Sequence, residues 1–396
     1  MYQNQWELTS TLNWVKGRHT LALGGLWDHT QLNVINNNNN TDSIAFKTFL
    51  TFVEGAVRTG TDTDAFAGSS NRYYRSDTVG AFVNDSYKVR SNLNLTLGVR
   101  WDFEGPLTEK YGKLTAFNPS LYSYNAATDT IVNSGLEVAG NNPTFATQGA
   151  SDSLLTQRQW GLSPRVGLAW TPRSKLTIRT GFGIYHDRGE FFSEFSPSAG
   201  GGFNGPFGVT LAPPFVSPIF ASKGATFQTP FGTTAPSAPP GSAAAFQALL
   251  PNLAETTNGN YPTGNLFGPF LFGGYDIGNR LPYTENWTFD MQYQASSSWL
   301  FSVGYVGNHG VHEVLPIPFN QPLIATPQHP VNGQIYSYGL NENDLEPIYT
   351  NEYSGNAPVR VPFIGYDMNS VLYRTEGISN YNALQLQARK RLSNGL

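Results

Sequence analysis

Three groups of residues in this chain carry side chains that could do chemistry. His309 and His312, in NHGVHE, stand three apart with Glu313 adjacent. Two imidazoles and a carboxylate suit zinc, but that spacing aligns on a helix and the segment reads as a strand exit. Asp62 and Asp64, in TDTDAF, offer oxygens to calcium without the glycine of an EF-hand loop. A solvated loop is the simpler reading of both. His186, Asp187 and Glu190 lie together at the end of an alternating segment, and with a serine they would suggest hydrolysis. No G-x-S-x-G or comparable nucleophile setting accompanies them. GGGF (200–203) is followed by neither lysine nor helix, so a phosphate loop is not supported. The expectation is a protein that is not an enzyme and carries no cofactor or metal.

What positions residues here is set by composition and period. The chain has 396 residues, 39% hydrophobic and only 13% charged. Charged residues make up about 25% of ordinary soluble domains, so few groups are available to solvate a conventional surface. Net charge is −4 with no basic stripe, which argues against nucleic acid. Cysteine is absent, so disulfides and thiolate metal sites are excluded. No run of eighteen apolar residues marks a membrane helix, although a transmembrane barrel shows only alternating segments of about ten residues.

Such segments recur in pairs joined by short polar turns. WELTSTLNW turns through VKGRH into TLALGGLWD (hairpin 6–28). TVGAFVNDSYK turns through VRSN into LNLTLGVRWDFEG (78–104). SPRVGLAW turns through TPRSK into LTIRTGFGIYHD (163–187). NWTFDMQYQ turns through ASSS into WLFSVGYVG (286–307), and YNALQLQARKRL forms a last strand (381–392). Between the hairpins lie long linkers, roughly 29–77, 105–160, 188–282 and 308–378. Structureless linkers of that length argue against a compact soluble domain. Short turns alternating with long loops are what an outer-membrane barrel requires.

The faces sort by charge. Arg100 and Asp102, Arg165, Arg179, Asp290 and Arg389 each share a strand face with polar residues or glycine, opposite Leu, Ile, Val, Phe and Trp. An arginine at the lipid midplane costs about 2–4 kcal/mol, so these six are expected in the lumen. The phase of 78–88 stays open, because Ala81 and Val83 share a face with Asp85 while Phe82 shares one with Asn84. Trp6, Trp14, Trp27, Tyr87, Trp101, Trp170, Trp287 and Trp299 fall near strand ends, as interfacial belts do. Phe191, Phe192, Phe195, Phe203, Phe207 and Phe215, in a loop rich in Gly and Pro, are candidates for contact with an extracellular ligand or for packing over the mouth.

The hairpins also resemble a known family. SPRVGLAWTPRSKLTIRTGFGIYHDRGEF is similar to the barrel signature of TonB-dependent outer-membrane receptors of the Oar-like group. So are AFVNDSYKVRSNLNLTLGVRWDFEGPL, LPYTENWTFDMQYQASSSWLFSVGYVGNHGVHE, the opening TSTLNWVKGRHTLALGG and the closing YNALQLQARKRLSNGL. The resemblance implies a large barrel with an N-terminal plug, often after a carboxypeptidase-regulatory-like domain. It implies that an extracellular solute is bound outside and imported with force from the TonB–ExbB–ExbD complex.

The expectation is then an all-β, antiparallel transmembrane β-barrel segment of about nine strands with long extracellular loops. It occupies 1–396 as a partial barrel domain in the bacterial outer membrane, in contact with its lipid. No basic n-region, apolar h-region or plug precedes the first hairpin, and nine strands are an odd number where bacterial barrels have an even one. The chain is therefore expected to be an internal piece of a split or truncated receptor, reached by TonB through a plug elsewhere. A passive porin-like barrel and a soluble, aromatic-rich β-sandwich that binds carbohydrate are the alternatives.

Overall fold

The computed structural model describes residues 2–35, 48–53, 65–68, 71–125, 127, 130–133, 135–143, 146–187, 208–211, 273–337, 357, 360–366, 368 and 370–391. Nine long strands carry the architecture. They are β1 (Tyr2–Lys16), β2 (His19–Ile35), β3 (Asn71–Arg90), β4 (Leu93–Glu104), β5 (Trp160–Arg173), β6 (Leu176–His186), β7 (Tyr283–Gln294), β8 (Trp299–Pro318) and β9 (Val371–Lys390). They form one sheet in chain order, and each pairs antiparallel with the next. The short strand Gly273–Tyr275 adds parallel to the start of β9. Among the described residues no pairing joins β1 to the other end of the sheet, which is therefore open.

Tight turns close four hairpins at one end, the first with Gly17 at φ 61°, a left-handed turn conformation that glycine adopts freely. The strand ends that the long connections join lie at the other end, called upper below. Register keeps the apolar sets on one face across the sheet: Leu23 faces Val83, Val83 faces Val99, Leu97 faces Val166, Val166 faces Phe182 and Phe182 faces Trp287. That face is not a core. Leu12 is 63% exposed, Leu97 49% and Leu386 72%. An unshielded apolar surface of this extent needs an apolar surrounding.

Register also decides the phase left open for 78–88. Ala81, Val83 and Asp85 stand on the apolar face, opposite Trp101, Val99 and Leu97, while Phe82 stands on the polar one, opposite Arg100. Phe82 fits there because Gly24 leaves room for it; ring carbons lie 2.5 Å from where a β-carbon on Gly24 would be.

Aromatic residues mark two levels on the apolar face, and the spacing repeats. Trp6 and Trp14 are eight residues apart on β1 (6 to 14). Trp101 faces Leu162, eight residues from Trp170 (162 to 170). Trp287 faces Gly307, eight from Trp299 (299 to 307). Trp27 is eight from His19 (19 to 27), which faces Tyr87. Eight residues span about 27 Å of strand, or about 21 Å of height at a barrel tilt near 40°.

Two expectations about the linkers are corrected. Strand pairing continues far above the hairpins read from the sequence: β2 runs to Ile35, β3 starts at Asn71, β8 ends at Pro318 and β9 starts at Val371. A twenty-residue strand reaches about 66 Å, well beyond an apolar band of about 25 Å, so these ends stand clear of it and need no apolar alternation. The 105–159 connection is also structured. Thr108–Glu109 pairs with β3, Thr115–Phe117 with Leu136–Val138, and Ser123–Asn125 with Thr130–Asn133.

The buried apolar core lies in this upper cap. Leu32 and Tyr74 face each other across β2 and β3, on the parity of the polar face, and pack with Leu107, Leu114, Ala116, Ala139 and Leu154. Phe117, Tyr366 and Leu372 form a second cluster. Fully buried Glu109 ties the cap to the sheet. Its Oε1 accepts from the Tyr73 N–H, and its Oε2 from the N–H groups of Tyr111 and Lys113, each at 2.9 Å. Buried Arg72 lies in Coulombic reach of that carboxylate.

Candidate functional site

The six charged residues singled out from the sequence all fall on the polar face. Arg100 Nε donates to Asp102 Oδ1 at 2.5 Å, and the Arg100 guanidinium lies over Gly80, where a side chain would collide with it. Arg165 stacks on the Tyr185 ring at 4.5 Å. Arg179 stands opposite Asp290 in register, Asp290 opposite Gly304, and Gly304 opposite Gln385. Arg389 stands opposite Leu300, near the short-turn end.

The other sequence candidates are separated. His309 Nδ1 is 2.7 Å from Asn380 Oδ1, and Glu313 accepts from Ser379 Oγ at 2.5 Å. His312 turns away at a bulge in β8, with φ 62°, and its Nδ1 is 3.3 Å from the Leu281 carbonyl. The serine missing beside His186 in sequence is Ser163: its Oγ is 3.0 Å from His186 Nδ1. Ser163 is fully buried and the nearby Asp102 is held by Arg100, so the contact orients the ring rather than presenting a nucleophile. The β5–β6 pairing ends at Arg165 opposite Gly183, and above it His186 closes over Gly161, where a β-carbon would meet the ring at 2.3 Å. Asp62, Asp64, Glu190, Phe191, Phe192, Phe195, Phe203, Phe207 and Phe215 lie outside the described residues.

What the structure brings together instead is a cleft of about 460 Å³ where the tops of β5, β6 and β7 meet the β8 bulge. Arg158, Arg280, His186, His312, Trp160 and Tyr283 line it, and among the described residues no carboxylate does. Arg158 sits 4.8 Å over the Trp160 ring. Tyr283 lies between the two imidazoles, with ring centroids 5.6 Å from His186 and 5.7 Å from His312. Buried Asn279 fixes the approach. Its side chain donates to the Tyr373 carbonyl and accepts from the Thr375 N–H, both at 2.8 Å, while the Arg280 N–H donates to Thr375 Oγ1 at 2.9 Å. A second cleft of about 290 Å³ shares Arg280 and His312 and holds the Arg374–Asp276 ion pair at 3.0 Å. Sequence reading missed this site because Arg158 and Arg280 are far apart in the chain and only strand register joins them.

The model of the outer membrane beta barrel domain family matches residues 1–396. No curated protein matches the chain. Among solved structures, it is similar to the FrpB iron transporter from Neisseria meningitidis (8% identity, TM-score 0.36, 99% of this chain and 34% of that one). It is similar also to the ferric enterobactin receptor PfeA from Pseudomonas aeruginosa (10%, 0.40, 97% and 33%) and to the siderophore receptor PirA from Acinetobacter baumannii (10%, 0.38, 98% and 34%). The chain spans about a third of the length of these structures. Matched from end to end by that family model, with an exposed apolar face backed by a polar one, the chain belongs to the outer membrane beta barrel domain family.

Proposed function

We propose that this chain is part of the wall of a TonB-dependent outer-membrane receptor that imports an extracellular solute. The observation that carries the membrane part is the apolar face bounded by aromatic residues at two levels eight residues apart, with the charged residues on the opposite face. That height of about 21 Å fits the apolar band of an outer-membrane barrel, about 25 Å. The lumen is then lined by Arg100, Asp102, Arg165, Arg179, Asp290 and Arg389. The cap leans on the same side from above, through Leu32 and Tyr74. TonB dependence rests on the resemblance of the hairpins, and the wall is completed by strands beyond this sheet.

The test uses the natural protein with all its flanking sequence, solubilised from outer membranes. Capture by the purified C-terminal domain of TonB, together with electrically silent behaviour in planar bilayers, is the expected result. Steady open conductance without TonB capture would replace the receptor reading with that of a passive pore.

A further inference from the structure

We infer that the 460 Å³ cleft at the upper rim is a binding site for a small organic anion with a flat, apolar body. Its charge is one-sided. Among the described residues, Arg158 and Arg280 line it without a carboxylate beside them, in a chain whose net charge is −4. Two of the acids around it are engaged elsewhere, Asp102 by Arg100 and Asp276 by Arg374. Among the described residues neither Arg158 nor Arg280 has a carboxylate partner. The Arg158 guanidinium sits over the Trp160 ring, and among the described residues its N–H donors have no hydrogen-bond partner, so they are available to a ligand. Guanidinium donors pair bidentately with carboxylate, sulfonate or phosphate oxygens.

The remaining walls select the body that carries the charge. Tyr283, held between two imidazoles, and Trp160, 39% exposed, put aromatic surface at a common opening. The volume lies in the range of small-molecule sites, about 300–1,000 Å³. The cleft is built rather than incidental. Asn279 staples the 276–281 segment to β9, the β8 bulge aims His312 inward, and Ser163 orients His186. Binding itself stands without the receptor reading; only the ligand's later import rests on it.

The test is calorimetric titration of the natural full-length protein in nanodiscs with naphthalene-2-sulfonate. Its cationic counterpart, a naphthyl trimethylammonium ion, serves as the comparison. The sulfonate is expected to bind and the cation not. Arg158→Gln and Arg280→Gln should each weaken binding about tenfold. Lys110→Gln, on the cap outside the cleft, should leave it unchanged. Arg280→Lys, which keeps the charge and loses the fork, should fall between. Equal binding of the cation, no binding of the sulfonate, or an equal loss in Lys110→Gln would overturn the proposal. Displacement of the probe by lipid A phosphates but not by soluble aromatic carboxylates would assign the cleft to a membrane anion and overturn the soluble ligand. Sulfonate binding in a protein that never captures TonB contradicts the receptor reading alone; TonB capture without sulfonate binding contradicts this proposal alone.

Discussion

Trp6 and Trp14 stand on one face of β1 eight residues apart, and the same interval recurs between His19 and Trp27, between Trp170 and the level of Trp101, and between Trp299 and the level of Trp287. Between those levels the exposed side chains include Leu8, Leu12, Leu97 and Val99. A charge placed there meets hydrocarbon. Leu97→Arg is expected to lower folding into vesicles by about 2–4 kcal/mol, whereas Thr96→Arg, on the opposite face, should cost far less. Gel-shift assays of the heat-modifiable folded fraction in a urea series measure both.

Glu109 holds the cap through three backbone donors and lies close to buried Arg72. Glu109→Gln removes the countercharge and turns an amide NH₂ toward N–H groups. Breaking one partner of a buried charged pair costs about 3–5 kcal/mol. Limited proteolysis should cut the variant within 106–143 while the nine strands stay protected.

Burial pushes the Tyr366 phenol well above its ordinary value, and that of Tyr122, whose OH donates to the Ile364 carbonyl, upward as well. In the unfolded cap both ionise near pH 10. Above that pH the unfolded form binds fewer protons than the folded one, so stability falls as pH rises. The cap should be fully stable below about pH 9 and loosen above about pH 10, with delayed tyrosinate absorbance at 295 nm as the readout.

Asp85 is the one acid found between Leu21 and Leu97 on the apolar face. Its Oδ2 is 2.7 Å from His19 Nδ1, and the His19 ring stacks on Tyr87 at 4.3 Å. His19→Leu strands the carboxylate beside lipid and should destabilise the sheet by about 1–3 kcal/mol. Asp85→Leu added to it should restore stability, because two apolar groups then replace a broken pair. Urea midpoints of the two variants decide the matter.

The sequence made most strands between the aromatic levels legible, with the phase of 78–88 left to register, and little above them. LNLTLGVRWDFE alternates because its two faces meet different media, and it emerges as β4 with both ends where the pattern puts them. NRYYRSD, the upper part of β3, carries no such alternation, since neither of its faces meets lipid. The cap was invisible because Leu107, Leu114, Ala139 and Leu154 follow no period and find each other only in three dimensions. The polar face was legible at Arg100, Asp102, Arg165, Arg179, Asp290 and Arg389, but not in 78–88, where Phe82 on that face and Asp85 on the other break the pattern. The cleft was not: Arg158 and Arg280 sit in short entries to different strands, and His312 owes its direction to a bulge that no pattern announces.

One face of this sheet meets lipid and the other water. The chain has no cysteine, so single cysteines can be placed at each position from Asn94 to Trp101 and spin-labelled in the protein reconstituted in vesicles. Accessibility to lipid-soluble oxygen should peak at Leu95, Leu97, Val99 and Trp101. Accessibility to a water-soluble nickel chelate should peak at Asn94, Thr96, Gly98 and Arg100. Loss of the period of two, with the chelate reaching odd and even positions alike, would contradict the account.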